Sequence, residues 1–351
     1  MPEPDRRPVC ITPTARDRDD LAEVASEAKD LATSDVHTML RWAVLTGPDL
    51  ALPGGGATVS RWELLATVAA QDLTVARVLE PHLDALAILA EDGRPPDPAS
   101  SWGVWAAEGP GARLAARKDE SNGWLLDGRK PWCSLAGSVT HALVTAWVEK
   151  DDRQLFAVEL ADPGIHLEDD AWAPAGLARV ITNPVAMTAV PGRPIGPAGW
   201  YLSRDGFWWG GIGVAAIWYG GAVGLTRRLA AQVSSREPDQ LALMHLGEVD
   251  ACLAAARAAL NEAADQIDRG SVTGHHAKVL AARVRHVVAT AAEDVAQHVA
   301  HALGPGPLSR EPEHVARVAD LALYLRQHHA ERDAAELGRV LLEPPEGFPP
   351  W

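Results

Sequence analysis

Gly123-Trp-Leu-Leu-Asp-Gly-Arg-Lys-Pro-Trp-Cys-Ser-Leu-Ala-Gly137 is the stretch on which the fold turns. It opens as a short strand, and Asp127-Gly128 reads as a tight turn that ends it. The strand period continues outward. His141-Ala-Leu-Val-Thr-Ala-Trp-Val148 and Leu155-Phe-Ala-Val-Glu-Leu160 are short apolar runs on either side of the charged turn Glu149-Lys-Asp-Asp-Arg153, and read as a hairpin. Asp162-Pro-Gly164, Ala173-Pro-Ala-Gly176 and Pro191-Gly-Arg-Pro194 punctuate the rest. Residues 99–203 are therefore expected to form an antiparallel β-barrel or sandwich.

Both flanks read as helix. Residues 1–98 hold Asp19–Ala32, with apolar positions at 21, 24, 25, 28 and 31, and a run through Leu64, Leu65, Val68, Leu73, Val75 and Val78 that Ser60 could cap. Pro53-Gly-Gly-Gly56 is a loop between them, and Glu91-Asp-Gly-Arg-Pro-Pro-Asp-Pro98 cannot continue a helix, which sets the boundary. Residues 204–345 are expected as four long helices at 207–233, 240–269, 274–303 and 312–342, an up-and-down bundle, with a tail at 346–351. Phe207–Thr226 is uncharged and long enough for a membrane span, yet it holds six glycines and runs straight into Arg227-Arg228. It reads as a buried central helix whose small residues allow close packing.

Composition narrows the function. The 351 residues are 47% hydrophobic and 23% charged, which excludes a disordered or collagen-like chain. A formal charge of −15 excludes nucleic acid and anionic membranes as partners, because counterion release needs a basic face. Cys10, Cys133 and Cys252 are too few and too scattered for a disulfide framework or a metal site. With no apolar leader in Met1-Pro-Glu-Pro-Asp-Arg-Arg-Pro8, the expectation is a cytoplasmic protein. The 13 tryptophans stand against three Phe and three Tyr, and indoles suit the wall of a pocket for a planar ligand as well as an ordinary core.

The helical–β–helical order and the motifs along it resemble the acyl-CoA dehydrogenase superfamily over nearly the whole chain. Residues 123–137 resemble its Gly-aromatic strand with Gly-x-Lys-x-Trp and a hydroxyl-bearing turn, and Trp105-Ala-Ala-Glu-Gly-Pro-Gly111 resembles its Thr-Glu-Pro segment. Pro163-Gly, Gly176 and Val190-Pro follow in order, Leu303-Gly-Pro-Gly-Pro-Leu308 resembles its Gly-Gly-x-Gly turn, and Leu325-Arg-Gln-His-His-Ala-Glu-Arg-Asp333 its C-terminal active-site helix. The resemblance implies a flavoprotein oxidoreductase acting on CH–CH groups, with FAD as hydride acceptor and an acyl thioester or related small molecule as substrate. It implies a homodimer or homotetramer. It makes Trp132 the wall of the flavin site and Ser134 the hydroxyl near N5, with Val104, Ala106 and Ala107 at the pyrimidine edge, Arg236 toward a phosphate, and Gly304 and Gly306 also among the cofactor-binding residues. From the residues alone, an indole at 132 reads as core.

Several positions depart from the pattern. Ala107 stands where the family has Thr, Ala112-Arg-Leu114 replaces Gly-Ser-Asp, and the loop Ser235-Arg-Glu-Pro-Asp-Gln240 lacks the Arg-x-x-Phe-Gly stretch. His328-His329 occupies the place of the family's catalytic Glu. Histidine there, together with His82, is similar to the flavin monooxygenase branch, which implies FMN as an alternative flavin; imidazole is a competent proton shuttle at neutral pH. Taken alone, His328 and His329 read either as a proton shuttle or, with Glu331, as residues that cap and solvate the last helix. A third reading is a non-catalytic homologue within a hetero-oligomer.

Overall fold

The computed structural model describes residues 6–13, 19–119, 123–149, 152–169, 172–235 and 237–343. Four helices lead: α1 (Asp19–Leu31), α2 (Val36–Thr46), α3 (Thr58–Gln71) and α4 (Leu73–Glu91). The apolar run from Leu64 to Val78 is not one helix capped by Ser60. It breaks at Asp72, whose carboxylate accepts from the Val75 amide and caps α4 at 2.9 Å. Ser60 lies inside the first turn of α3.

The strands are β1 (Trp102–Trp105), β2 (Leu114–Asp119), β3 (Gly123–Ser134), β4 (His141–Trp147), β5 (Arg153–Glu159), β6 (Ile165–Leu167), β7 (Thr182–Pro191) and β8 (Arg193–Ile195). They join in one eight-stranded sheet, ordered β6-β7-β3-β2-β4-β5-β8 with β1 beside β4. The β4–β5 hairpin pairs in register from His141 with Glu159 to Trp147 with Arg153. The sheet is not wholly antiparallel, since β1 and β2 both run parallel to β4.

Asp127-Gly128 does not turn the chain. β3 passes through it for 12 residues, and the pair forms a bulge against β7. Gly128 has φ +123°, and a Cβ there would collide with the Arg113 carbonyl oxygen. A second irregularity falls between Lys130 and Cys133 and contains Trp132 at φ 58°.

After α5 (Trp200–Ser203) come three long helices, α6 (Asp205–Ser234), α7 (Gln240–Asp268) and α8 (Gly274–Leu303). The expected fourth long helix is instead α9 (Pro305–Arg310), α10 (Pro312–Tyr324), a 3-10 turn at Leu325–Gln327 and α11 (Glu331–Val340). Its break after Tyr324 has no Pro or Gly to announce it. Arg285 of α8 holds it open by donating to the Gln327 carbonyl at 3.0 Å and to the Gly211 carbonyl of α6 at 2.7 Å. Asp333 accepts from the His329 amide at 3.0 Å and starts α11.

α6 is the buried centre of the molecule. Gly220 and Gly224, one turn apart, let it approach α3 until a Cβ on either would strike the Ala66 or Ala70 carbonyl oxygen. No helix among the described residues is long and apolar enough to cross a membrane. One hydrophobic cluster runs through the N-terminal helices, the sheet and the long helices, with Met39, Leu79, Trp105, Phe156, Trp218 and Val288 all in it. Asp320 of α10 ties the parts further, accepting from the Leu177 amide between β6 and β7 and from the Thr74 hydroxyl of α4 at 3.3 Å.

Candidate active site

Two surfaces bear chemistry, and one arginine joins them. The first is on the sheet. The bulge at Lys130–Cys133 turns the Trp132 indole outward to 59% exposure while burying Cys133 completely. Every other described tryptophan is buried or half-buried. A non-glycine residue at positive φ is a strained choice, kept here at the second of the two irregularities in β3. Beside it, the Ser134 hydroxyl lies 2.9 Å from that of Thr182 and accepts from Arg77 at 3.4 Å. Trp105 donates from Nε1 to the Ser134 carbonyl at 3.1 Å, which pins the end of β1 to the end of β3. Val104 is half-buried in β1, Ala106 follows it and Ala107 is exposed. Lys130 is fully buried and fully used, bound to Glu108 at 2.7 Å and to the Thr145 carbonyl at 3.0 Å, so it braces this corner.

The second surface is a cavity of about 540 Å³ between α4, α6, α8 and α11. Its polar lining includes Glu80, Asp84, Arg204, Arg285, His328 and Asp333. Gly210 and Gly211 make room for it: a Cβ on Gly210 would press on the Asp84 carboxylate. Burial raises the Glu80 carboxyl to about 7, against the opposing pull of Arg77. Burial raises Asp84 as well, with Arg204 and Arg61 opposing. His328 is lowered by burial, partly offset by Asp333, whose carboxylate is 3.9 Å from its Nε2. That Nε2 is buried and has no hydrogen-bond partner among the described residues. His329 also lines the cavity but is largely exposed, with Nδ1 3.3 Å from Asp333.

Arg77 spans the two surfaces. It reaches Ser134 on one side and, through Nη1 at 3.2 Å, Glu80 on the other; Tyr324 also donates to Glu80 at 3.5 Å. The structure thus sets Trp132 and Ser134 at the end of β3, Val104 in β1 with Ala106 and Ala107 just after it, and His328 and His329 on the cavity wall. The Trp132 indole itself is absent from the cavity lining.

His82 belongs to neither surface. On α4 it lies two residues from both Glu80 and Asp84, which turns it to the opposite side of the helix. There its Nε2 faces Gly47, its Nδ1 has no partner among the described residues, and burial drives its pKa down to about 4. The expectation that it joins the site is corrected. Gly304 and Gly306 sit where α8 gives way to α9, about 28 Å along α8 from Arg285 by helical rise, so they stand apart from the cavity. Arg236 lies outside the described residues, as does the expected tail at 346–351.

Glu80, Asp84, Arg77 and Arg285 escape the sequence reading. The available signal was charge at positions 77, 80 and 84 along α4, a helix otherwise almost wholly apolar and buried.

No protein-family model and no curated protein matches the chain. Solved structures do. Butyryl-CoA dehydrogenase from Megasphaera elsdenii is similar with a TM-score of 0.78 at 17% identity, over 94% of this chain and 99% of that one. A KijD3 in complex with FMN and dTDP-3-amino-2,3,6-trideoxy-4-keto-3-methyl-D-glucose is similar at 0.76 and 21%, over 92% and 91%. A nitrososynthase from Micromonospora carbonacea var. africana is similar at 0.76 and 20%, over 97% and 100%. Identities this low speak to architecture, and at that level the answer is plain: the chain has the acyl-CoA dehydrogenase fold.

Proposed function

We propose that the chain is a flavin-dependent oxidoreductase whose polar small-molecule substrate occupies the cavity between α4, α6, α8 and α11. The observation that carries this reading is an exposed indole in a strained bulge, joined by one arginine to a buried carboxyl that titrates near neutrality. Trp132 offers a flat apolar surface for a ring system, and Ser134 a hydroxyl at its margin; both fit an isoalloxazine. A bound flavin supplies a two-electron acceptor. The remaining work belongs to the chain. Glu80 takes or returns a proton at its carboxyl, which Arg77 orients through Oε2, and Arg285 holds open the break that presents His328. The fold's relatives include a butyryl-CoA dehydrogenase; a polar compound is proposed here because Glu80, Asp84, Arg204, Arg285 and His328 stand beside the cavity's apolar walls.

Monooxygenation is the second reading. It rests on His328, whose imidazole stands at the break in the C-terminal helix with an unpartnered Nε2, and on the likeness to a structure crystallised with FMN.

Purified protein, or protein incubated with FAD or FMN, is expected to absorb near about 450 nm and to keep the flavin through gel filtration. Trp132→Leu with Ser134→Ala is expected to release it, with melting otherwise little changed. A colourless chain that retains neither flavin would overturn the enzymatic reading and leave a non-catalytic member of a larger assembly; retention unchanged in the double variant would overturn the placement.

A further inference from the structure

We infer that a second cleft, where α10 begins beside the ends of α3 and α6, binds a small phosphate-bearing molecule. This inference does not rest on the flavin reading. The cleft encloses about 480 Å³. Among the described residues, Lys29, Arg227, Arg228, Arg310 and Arg317 line it together with the carboxylates of Glu311 and Glu313. In a chain of net charge −15, such a concave surface concentrates anions.

The existing ion pairs shape the cleft without filling it. Arg228 grips Glu311 through Nε at 2.7 Å and Nη2 at 2.8 Å, and Lys29 meets Glu313 at 2.5 Å. Arg317 donates to the Ala70 and Gln71 carbonyls at 3.2 and 2.9 Å, closing the end of α3. Arg310 has no ion pair among the described residues and is exposed at the rim.

Two atoms on the cleft wall point to what enters. Gln71 Nε2 and His314 Nδ1 belong to side chains each only 3% exposed, and neither atom has a hydrogen-bond partner among the described residues. They come from different elements, α3 and α10, and meet at one cleft. A buried amide N–H left unpaired is a standing penalty that an acceptor oxygen removes. Burial also holds His314 below its ordinary value, so the ring is neutral at pH 7 and its Nδ1 tautomer is free to donate. The 13-residue α10 adds its positive end, with Pro312 in the first turn. Donors on three sides match the several oxygens of a phosphoryl group; a lone carboxylate has too few.

Calorimetric titration of the full chain with inorganic pyrophosphate in low-salt buffer tests this. One molecule is expected per chain, with affinity reduced at least tenfold by Gln71→Leu and by Arg310→Gln. The second variant lies on the exposed surface of α9 and keeps the test sound should the first fail to fold. Pre-loading with FMN or FAD is expected to leave pyrophosphate affinity unchanged. No saturable heat, or binding indifferent to Arg310→Gln, would overturn the proposal; displacement by FAD but not FMN would overturn it as a separate site and assign the cleft to a flavin's own diphosphate. A chain that binds no flavin but still binds pyrophosphate would sink the earlier reading and leave this one standing.

Discussion

Glu80 shows how one residue's setting decides its chemistry. Its carboxyl rises to about 7 from 4.5 because α4, Tyr324 and the cavity wall strip its water, while Arg77 restores only part of the lost stabilisation. A folded value above the unfolded one means the native state holds the proton more tightly. The stability this group lends is therefore full below about pH 4.5 and is lost as pH rises through 7. Glu80→Gln keeps the shape and removes the titration. Its melting temperature should equal the parent's near pH 4 and exceed it by a few degrees at pH 8; the same difference at both pH values would show that the carboxyl is not desolvated. Once a substrate is in hand, the parent's rate should carry a limb near pH 7 that the variant lacks, at a cost of about 10²–10⁴ in kcat. His82, read from sequence as a partner of the site, shows the opposite case. Only its position on the helix, two residues from Glu80, turns it toward Gly47 and out of reach.

At the scale of elements, the α3–α6 crossing carries the core and the broken C-terminal helix carries the site. The glycine spacing of α6 was legible as a signal for close packing, and its partner proves to be α3. Gly220→Val is expected to destabilise the fold by roughly 3 kcal/mol or more, because the added carbons meet the backbone of Ala66, which cannot swing aside as a side chain would. Urea unfolding measures it, and a midpoint within error of the parent would refute the tight crossing. The break at Leu325–Gln327 was not legible. Nothing in Leu325-Arg-Gln-His-His-Ala330 opposes a helix; the turn is imposed by Arg285, 40 residues earlier in the chain, and by the Asp333 carboxylate.

Across the whole molecule, three segments that look separable in sequence share one apolar core. The cluster that includes Met39, Phe156 and Val288 has no seam at either expected boundary, and Asp320 bonds across the N-terminal helices, the chain after Gly176 and α10 at once. Heating should therefore produce a single calorimetric transition rather than three, with van't Hoff and calorimetric enthalpies in agreement. Resolved transitions would show that the parts unfold as independent domains.

Periodicity and punctuation determined the order of helices, strands and helices, the β4–β5 hairpin and the limits of α7 and α8, because those depend on local pattern and on turn residues adjacent in the chain. The roles given to Trp132, Ser134 and His328 came from the family resemblance and not from these patterns, by which Trp132 reads as core. Only the folded chain decided which side chains share a space. It carried β3 straight through Asp127-Gly128, since strand pairing with β7 outweighs a turn propensity, and it lifted Trp132 into solvent. It also set Arg77 between Ser134 and Glu80, residues far apart in sequence whose desolvation and charge exist only once α4 is packed against the sheet and the last helices.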